Sequence, residues 1–163
     1  MSTIHIDNES EATTELIAQV LAPHLAPGDL LVLSGDLGAG KTFFARALLY
    51  ALGLERDERV PSPTFTLIHE YEVRLHVLHA DLYRLQSADE VQHLGMLERR
   101  QQGALLVVEW GRPFAAELGA DAVYLDFHLA PRRLVLTADG PRGTELLSGL
   151  RKSYVGVGLR YDG

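Results

Sequence analysis

Hydrophobic positions change period several times along the chain, and each change predicts an element. Thr3 to Asp7 alternates apolar and polar residues, as an edge strand does. Ser10 suits an N-cap, with Glu11 in the first turn where the helix dipole favours an acid. Ala12, Leu16, Val20 and Leu21 then mark one helix face, ending near Pro23. Ala26-Pro27-Gly28-Asp29 is a turn. Leu30 to Leu33 is wholly apolar, the pattern of a strand buried on both faces. A glycine-rich stretch follows, then a helix from Lys41 to Leu52 with Gly53 as its stop.

The second half reads in the same way. Glu55 to Pro63 is a polar loop, and Thr66 to Val73 and Leu75 to Ala80 are strand-like. Ser87 to Gln102 is helical, interrupted at Gly95, and Leu105 to Val108 is a second fully apolar strand. Val123 to Leu129 and Arg133 to Ala138 alternate around Ala130-Pro131-Arg132, a hairpin pattern. Thr144 to Lys152 forms a last helix. The expected fold is α/β, with a mixed, mostly parallel central sheet flanked by helices and an antiparallel C-terminal hairpin. One domain spans residues 1–152, and the aperiodic stretch 153–163 is expected to be a flexible tail.

Composition narrows the chemistry. The 163 residues suit a single domain, and 47% hydrophobic with 23% charged residues is ordinary for a globular chain. With no cysteine, disulfides, thiolate metal sites and thiol catalysis are excluded, which suits a cytosolic protein. A net charge of −7 argues against gripping RNA or DNA alone, although a local basic patch stays open. Residues 1–7 lack a basic flank before an apolar core, so no secretory signal is expected. No apolar run is long enough for a membrane span.

The glycines carry the strongest signal. Gly35-Asp36-Leu37-Gly38-Ala39-Gly40-Lys41-Thr42 matches G-x-x-x-x-G-K-[ST], between a buried strand and a helix as a P-loop requires. Gly35, Gly38 and Gly40 let successive N–H groups turn inward onto phosphate oxygens, and the helix adds its N-terminal dipole. Lys41 places a charge on the β and γ phosphates, and the Thr42 hydroxyl is a ligand for Mg²⁺. A P-loop enzyme also needs an acid at a neighbouring strand end. Glu109, after Leu105–Val108, and Asp81, after Val77–Ala80, are the candidates. Val60-Pro61-Ser62-Pro63-Thr64-Phe65 is either a connector or a switch-like loop that turns Ser62 and Thr64 to the γ-phosphate. His76 and His79, three apart on a strand, point to opposite faces and read as ordinary strand residues. Arg112, Arg132 and Arg133 are solvated by default, and Trp110 is either core or a flat wall beside a nucleotide.

Together these segments resemble the bacterial TsaE (YjeE) family, a small P-loop ATPase of tRNA threonylcarbamoyladenosine synthesis. The resemblance runs from about residue 9 to about 138. It rests on the P-loop, Ser62-Pro63-Thr64-Phe65-Thr66-Leu67, His79-Ala80-Asp81-Leu82-Tyr83-Arg84-Leu85 and Val108-Glu109-Trp110, with Gly95-Met96-Leu97-Glu98 and Glu11-Ala12-Thr13 also fitting. It implies a single P-loop NTPase-like domain that binds ATP and Mg²⁺ and hydrolyses ATP slowly. It also implies work with the TsaD–TsaB transferase pair, with tRNA met only through that complex. Carried over, Lys41, Asp81 and Glu109 are catalytic, and Thr42, Glu109 and Asp81 serve the metal. Nucleotide contacts fall to Thr13, Gly35, Gly38, Ala39, Gly40, Lys41, Thr42, Phe43, Thr64, Trp110 and Arg133. Ala80 and Gly111-Arg112 depart from the residues common there, and nothing after Gly140 matches a family motif.

Two other readings use the same P-loop. A small-molecule kinase needs an Arg-rich lid, and the one arginine pair between the motifs, in Glu98-Arg99-Arg100, reads as a helix face. A nucleotide-dependent switch without useful turnover is the other. A guanine-specific version would need N-K-x-D, which the chain lacks.

Overall fold

The computed structural model describes residues 3–8 and 10–156. Seven strands form one sheet: β1 (Ile4–Asp7), β2 (Leu30–Gly35), β3 (Ile68–Glu72), β4 (His76–Asp81), β5 (Leu105–Glu109), β6 (Val123–Leu129) and β7 (Arg132–Ala138). Their spatial order is β1-β7-β6-β2-β5-β4-β3. The inner four, β6, β2, β5 and β4, are parallel. β7 and β3 reverse at either side, and β1 closes one edge against β7. The sheet is therefore mixed and mostly parallel, as expected, with a second hairpin, β3–β4, besides the C-terminal one.

Alternation along the inner strands builds two cores. Leu31, Leu33, Leu105 and Val107 face one cluster, shared with helices α1 (Glu11–Leu21), α2 (Lys41–Ala51) and α5 (Gly140–Gly156). Leu30, Val32, Leu106 and Val108 face the other, covered by α3 (Ala88–His93), α4 (Met96–Gln101) and the turn around Phe114. Burial on both faces explains why these strands read as unbroken apolar runs. Ser10 caps α1 by accepting the Thr13 N–H. The Gly53 N–H donates to Tyr50 O at 3.1 Å and the Leu54 N–H to Leu49 O at 3.0 Å, the paired stop expected at the end of α2.

Most boundaries shift by a residue or two from the sequence reading, and those of β3 and the last helix have a clear physical cause. β3 starts at Ile68 rather than Thr66, because residues 63–68 close into a turn: the Leu67 N–H donates to Pro63 O at 2.8 Å and the Ile68 N–H to Thr66 O at 2.9 Å. The last helix is longer at both ends than Thr144–Lys152. Pro141 sits in its first turn, where no intrahelical donor is lost, and the Asp121 carboxylate accepts the Gly143 N–H at 2.8 Å. Residues 153–156, assigned to a flexible tail, continue α5 and bring Tyr154 into the core beside Leu146, Leu147 and Leu150. Residues 157–163 lie outside the described residues.

Candidate active site

β2, β4 and β5 end side by side, so the loops and residues at their C-terminal ends converge on one edge of the sheet. β2 delivers the P-loop. At Gly35 a Cβ would lie 2.5 Å from the Phe127 carbonyl oxygen on β6, so only glycine lets the loop leave the sheet there. Gly40 holds φ at +113°, a conformation side chains rarely adopt, and from it α2 starts without a side-chain cap. The first-turn N–H groups of α2, which no helix can satisfy internally, open into a cleft of about 360 Å³. Gly38, Lys41, Thr42, Phe43, Thr64, Asp81, Glu109 and Trp110 line it, joined by Glu11 and Arg46.

Lys41 is buried, and its Nζ donates to Gly35 O and, at 2.9 Å, to Asp36 O. It also lies 4.4 Å from the centre of the Trp110 ring. Burial holds the ammonium below its ordinary value, opposed by the carboxylates of Glu109, Asp81 and Asp36. The lysine is thus poised within its own loop, and phosphate oxygens are the natural replacement for those carbonyl acceptors.

Register puts the two acids together. Asp81 pairs with Glu109 across β4 and β5, so both side chains emerge on the same face. Both are almost fully buried. Thr42 Oγ1 lies 3.0 and 3.2 Å from the Glu109 carboxylate oxygens and donates to them, while its lone pairs stay available. Asp81 accepts the Tyr83 N–H at 2.9 Å and the Thr64 hydroxyl at 3.1 Å. Thr64 thereby spends its one proton, so Ser62, 2.7 Å away, donates to it. The loop of Ser62 and Thr64 is therefore tied to Asp81, and both residues line the cleft.

Trp110 turns away from β5 at φ +59°, a strain of about 1–2 kcal/mol for a residue with a Cβ. Its N–H still donates to Leu33 O at 3.0 Å. The turn stands the ring at the cleft mouth, against Tyr83 with centroids 4.9 Å apart. It is the wall rather than core. Phe65 is 80% exposed at the same edge, with the Arg84 guanidinium over its ring.

Other sequence candidates sit apart from the cleft. Ala39 is buried under the loop, and Gly35 borders the neighbouring depression with Asp36 and Phe127. Thr13 lies in the first turn of α1 against Ser10. Arg133 is exposed on β7, between Asp7 and His128 in register, and is not among the cleft's lining residues. Arg112 is engaged by Asp126 at 2.7 Å. Sequence reasoning missed His79: rather than an ordinary strand residue, it is fully buried with Nε2 2.6 Å from Glu109 Oε2. Spacing held the clue, since residues two apart on a strand share a face and Asp81 follows His79 by two. Arg46 lines the cleft with no pattern in the sequence to mark it, and of the Glu11-Ala12-Thr13 segment it is Glu11, rather than Thr13, that reaches the lining.

The family model for "Threonylcarbamoyl adenosine biosynthesis protein TsaE" matches residues 8–134. The chain belongs to the TsaE family. A Bacillus subtilis relative named tRNA threonylcarbamoyladenosine biosynthesis protein TsaE is 38% identical over 133 residues, covering 79% of this chain and 82% of that one. A Rickettsia conorii protein of the same name is 43% identical over 103 residues, 62% of this chain. The match spans 57% of the Rickettsia conorii protein and 60% of its Rickettsia felis counterpart. The crystal structure of Bacillus subtilis YdiB superposes with a TM-score of 0.74 at 32% identity, covering 93% of this chain and 95% of that one. A TsaE-family P-loop domain thus agrees with the α/β architecture and with the cleft at its sheet edge.

Proposed function

We propose that this chain binds ATP with Mg²⁺ and hydrolyses it, as the nucleotide-driven subunit of tRNA N6-threonylcarbamoyladenosine synthesis. The observation that carries the reading is the meeting of Thr42 with Glu109, and of Thr64 with Asp81, at the mouth of the P-loop. The donor set fits magnesium: one hydroxyl and two carboxylates, all hard oxygens. Among the described residues no group of three or more His, Cys, Asp or Glu could hold a metal alone. That suits an ion that takes one or two carboxylates and completes its shell with water and phosphates. Thr42 and Glu109 would hold the ion, with Asp81 beside them. When bound, Mg²⁺ supplies neutralisation of charge across the β and γ phosphates.

The rest falls to side chains. Lys41 exchanges its loop carbonyls for phosphate oxygens. The α2 N-terminus and the loop N–H groups hold the remaining phosphate charge. Asp81, fixed by Thr64 and the Tyr83 N–H, keeps lone pairs free to orient the attacking water and accept its proton. Trp110 walls the cleft, with Tyr83 packed against its ring. Thr13 and Arg133 are nucleotide contacts only on the strength of the family resemblance, since neither lines this cleft.

The partners follow from the family role. The names of the relatives concern biosynthesis of a modified tRNA nucleoside, whereas the net charge of −7 disfavours tRNA binding by this chain itself. The transferase pair TsaD–TsaB is the proposed partner, tRNA is met only through it, and the setting is cytoplasmic. Among the described residues no helix is long and apolar enough to cross a membrane. The test is reconstitution with TsaD, TsaB, tRNA and supplied threonylcarbamoyl adenylate over several turnovers. Modification should continue with ATP and stall after the first turnover with a non-hydrolysable analogue. Continued turnover with the analogue, or no association with the pair in ATP, contradicts the proposal.

A further inference from the structure

His79 stands behind the acids rather than in the cleft. It lies on β4 two residues before Asp81, on the same face, with no solvent exposure. Its Nε2 is 2.6 Å from Glu109 Oε2. Its Nδ1 is buried and has no hydrogen-bond partner. The imidazole therefore makes a single side-chain hydrogen bond, and that bond goes to the carboxylate Thr42 also touches. An ionised carboxylate can only accept, so the Nε2–H donates.

A buried ring with one stranded nitrogen is a poor filler. Leucine or phenylalanine would occupy a fully buried strand position without desolvating a polar atom. What offsets that cost here is a short hydrogen bond to a buried carboxylate. Glu109 is only 2% exposed and needs donors from the protein. Thr42 is one, but it is also assigned to magnesium and faces the cleft. His79 is the other, and full burial keeps it from nucleotide and solvent.

We infer that His79 is a positioning residue: it fixes the orientation of the Glu109 carboxylate toward Thr42 and so sets how tightly the cleft takes Mg²⁺. This rests on the reading of the cleft as a magnesium–nucleotide site. Outer groups that orient a ligating side chain typically change metal affinity by about ten- to a hundredfold when removed. The bond, rather than the volume, is what the proposal needs, and side-chain length can separate the two. Glutamine can bring an amide N–H to the place of Nε2, whereas asparagine is too short to reach it.

The test is calorimetric binding of ADP to the full chain, in EDTA and across a magnesium series, for wild type, His79→Gln, His79→Asn and His79→Leu. A parallel Mn²⁺ titration is followed by loss of the free-ion paramagnetic resonance signal. Affinity for ADP in EDTA should stay within about twofold in every variant. Metal affinity should fall about ten- to a hundredfold in His79→Asn and His79→Leu and recover to within about threefold of wild type in His79→Gln. Unchanged metal affinity in His79→Asn overturns the inference. So does an equal loss of ADP affinity with and without metal, which is the mark of general damage. If His79→Leu does not fold, the Gln and Asn pair decides alone. If magnesium leaves ADP binding by wild type unchanged, the magnesium reading itself fails and the inference falls with it.

Discussion

Lys41, Thr42, Asp81 and Glu109 divide the work at the residue scale by what each already touches. Lys41 is held by backbone carbonyls it can exchange for phosphate, so Lys41→Ala removes the main side-chain charge on the nucleotide. ATP affinity should drop by about ten- to a hundredfold, the worth of one charge-assisted hydrogen bond, as measured by equilibrium binding. Intact affinity would move the phosphate contact to the loop N–H groups alone. Glu109 and Asp81 are partnered differently. Glu109 faces the Thr42 hydroxyl, whereas Asp81 is tied to Thr64 and the Tyr83 N–H. Thr64→Val keeps shape and removes the donor to Asp81. It should slow hydrolysis while leaving magnesium-free nucleotide binding within about twofold. A parallel loss of binding would instead make Thr64 a nucleotide contact.

At the scale of elements, regular strands and helices were legible in the sequence because burial on both faces, capping residues and turn residues leave local marks. Leu30–Leu33, Leu105–Val108 and the Ser10 cap all fell where their pattern put them. What was not legible depends on pairs far apart in the chain. The register that sets Asp81 beside Glu109 decides which acids meet, and His79 joins them only through that register. The 63–68 turn breaks β3 by backbone hydrogen bonds that no residue type announces. The reach of α5 to residue 156 depends on a core face that appears only once Tyr154 packs beside Leu150. Tyr154→Ala should therefore destabilise the domain by about 3 kcal/mol, as for other aromatic core truncations, read from denaturant midpoints. A change below about 0.5 kcal/mol would return residues beyond 152 to a tail.

A second check at this scale is the Tyr124 hydroxyl on β6. Burial, aided by the Asp139 carboxylate 2.7 Å away, pushes it up to about 12. In the unfolded chain it titrates near its ordinary value of about 10. The folded state then keeps its proton longer, so the contribution to stability is whole below about pH 10 and is lost as pH rises toward about 12. Urea midpoints across that window should fall less steeply in Tyr124→Phe. An unchanged slope would assign the effect to Tyr71 or Tyr154, which burial also raises.

The molecule is built on a sheet whose parallel core points three strand ends at one cleft, with helices on both faces keeping those ends in place. Under the proposed function, the oxygen ligands of the cleft serve a phosphate substrate, and the net charge of −7 leaves nucleic acid to a partner. The measurement that tests this most directly is a single-turnover assay with limiting ATP and magnesium, reading bound nucleotide and released phosphate in the same sample for wild type and Glu109→Gln. Both chains should hold ATP, and only wild type should convert it to ADP and phosphate at an appreciable rate, with the variant slower by about a hundredfold or more. No bound ATP in wild type, or equal phosphate release from the two chains, would contradict the assignment of this cleft.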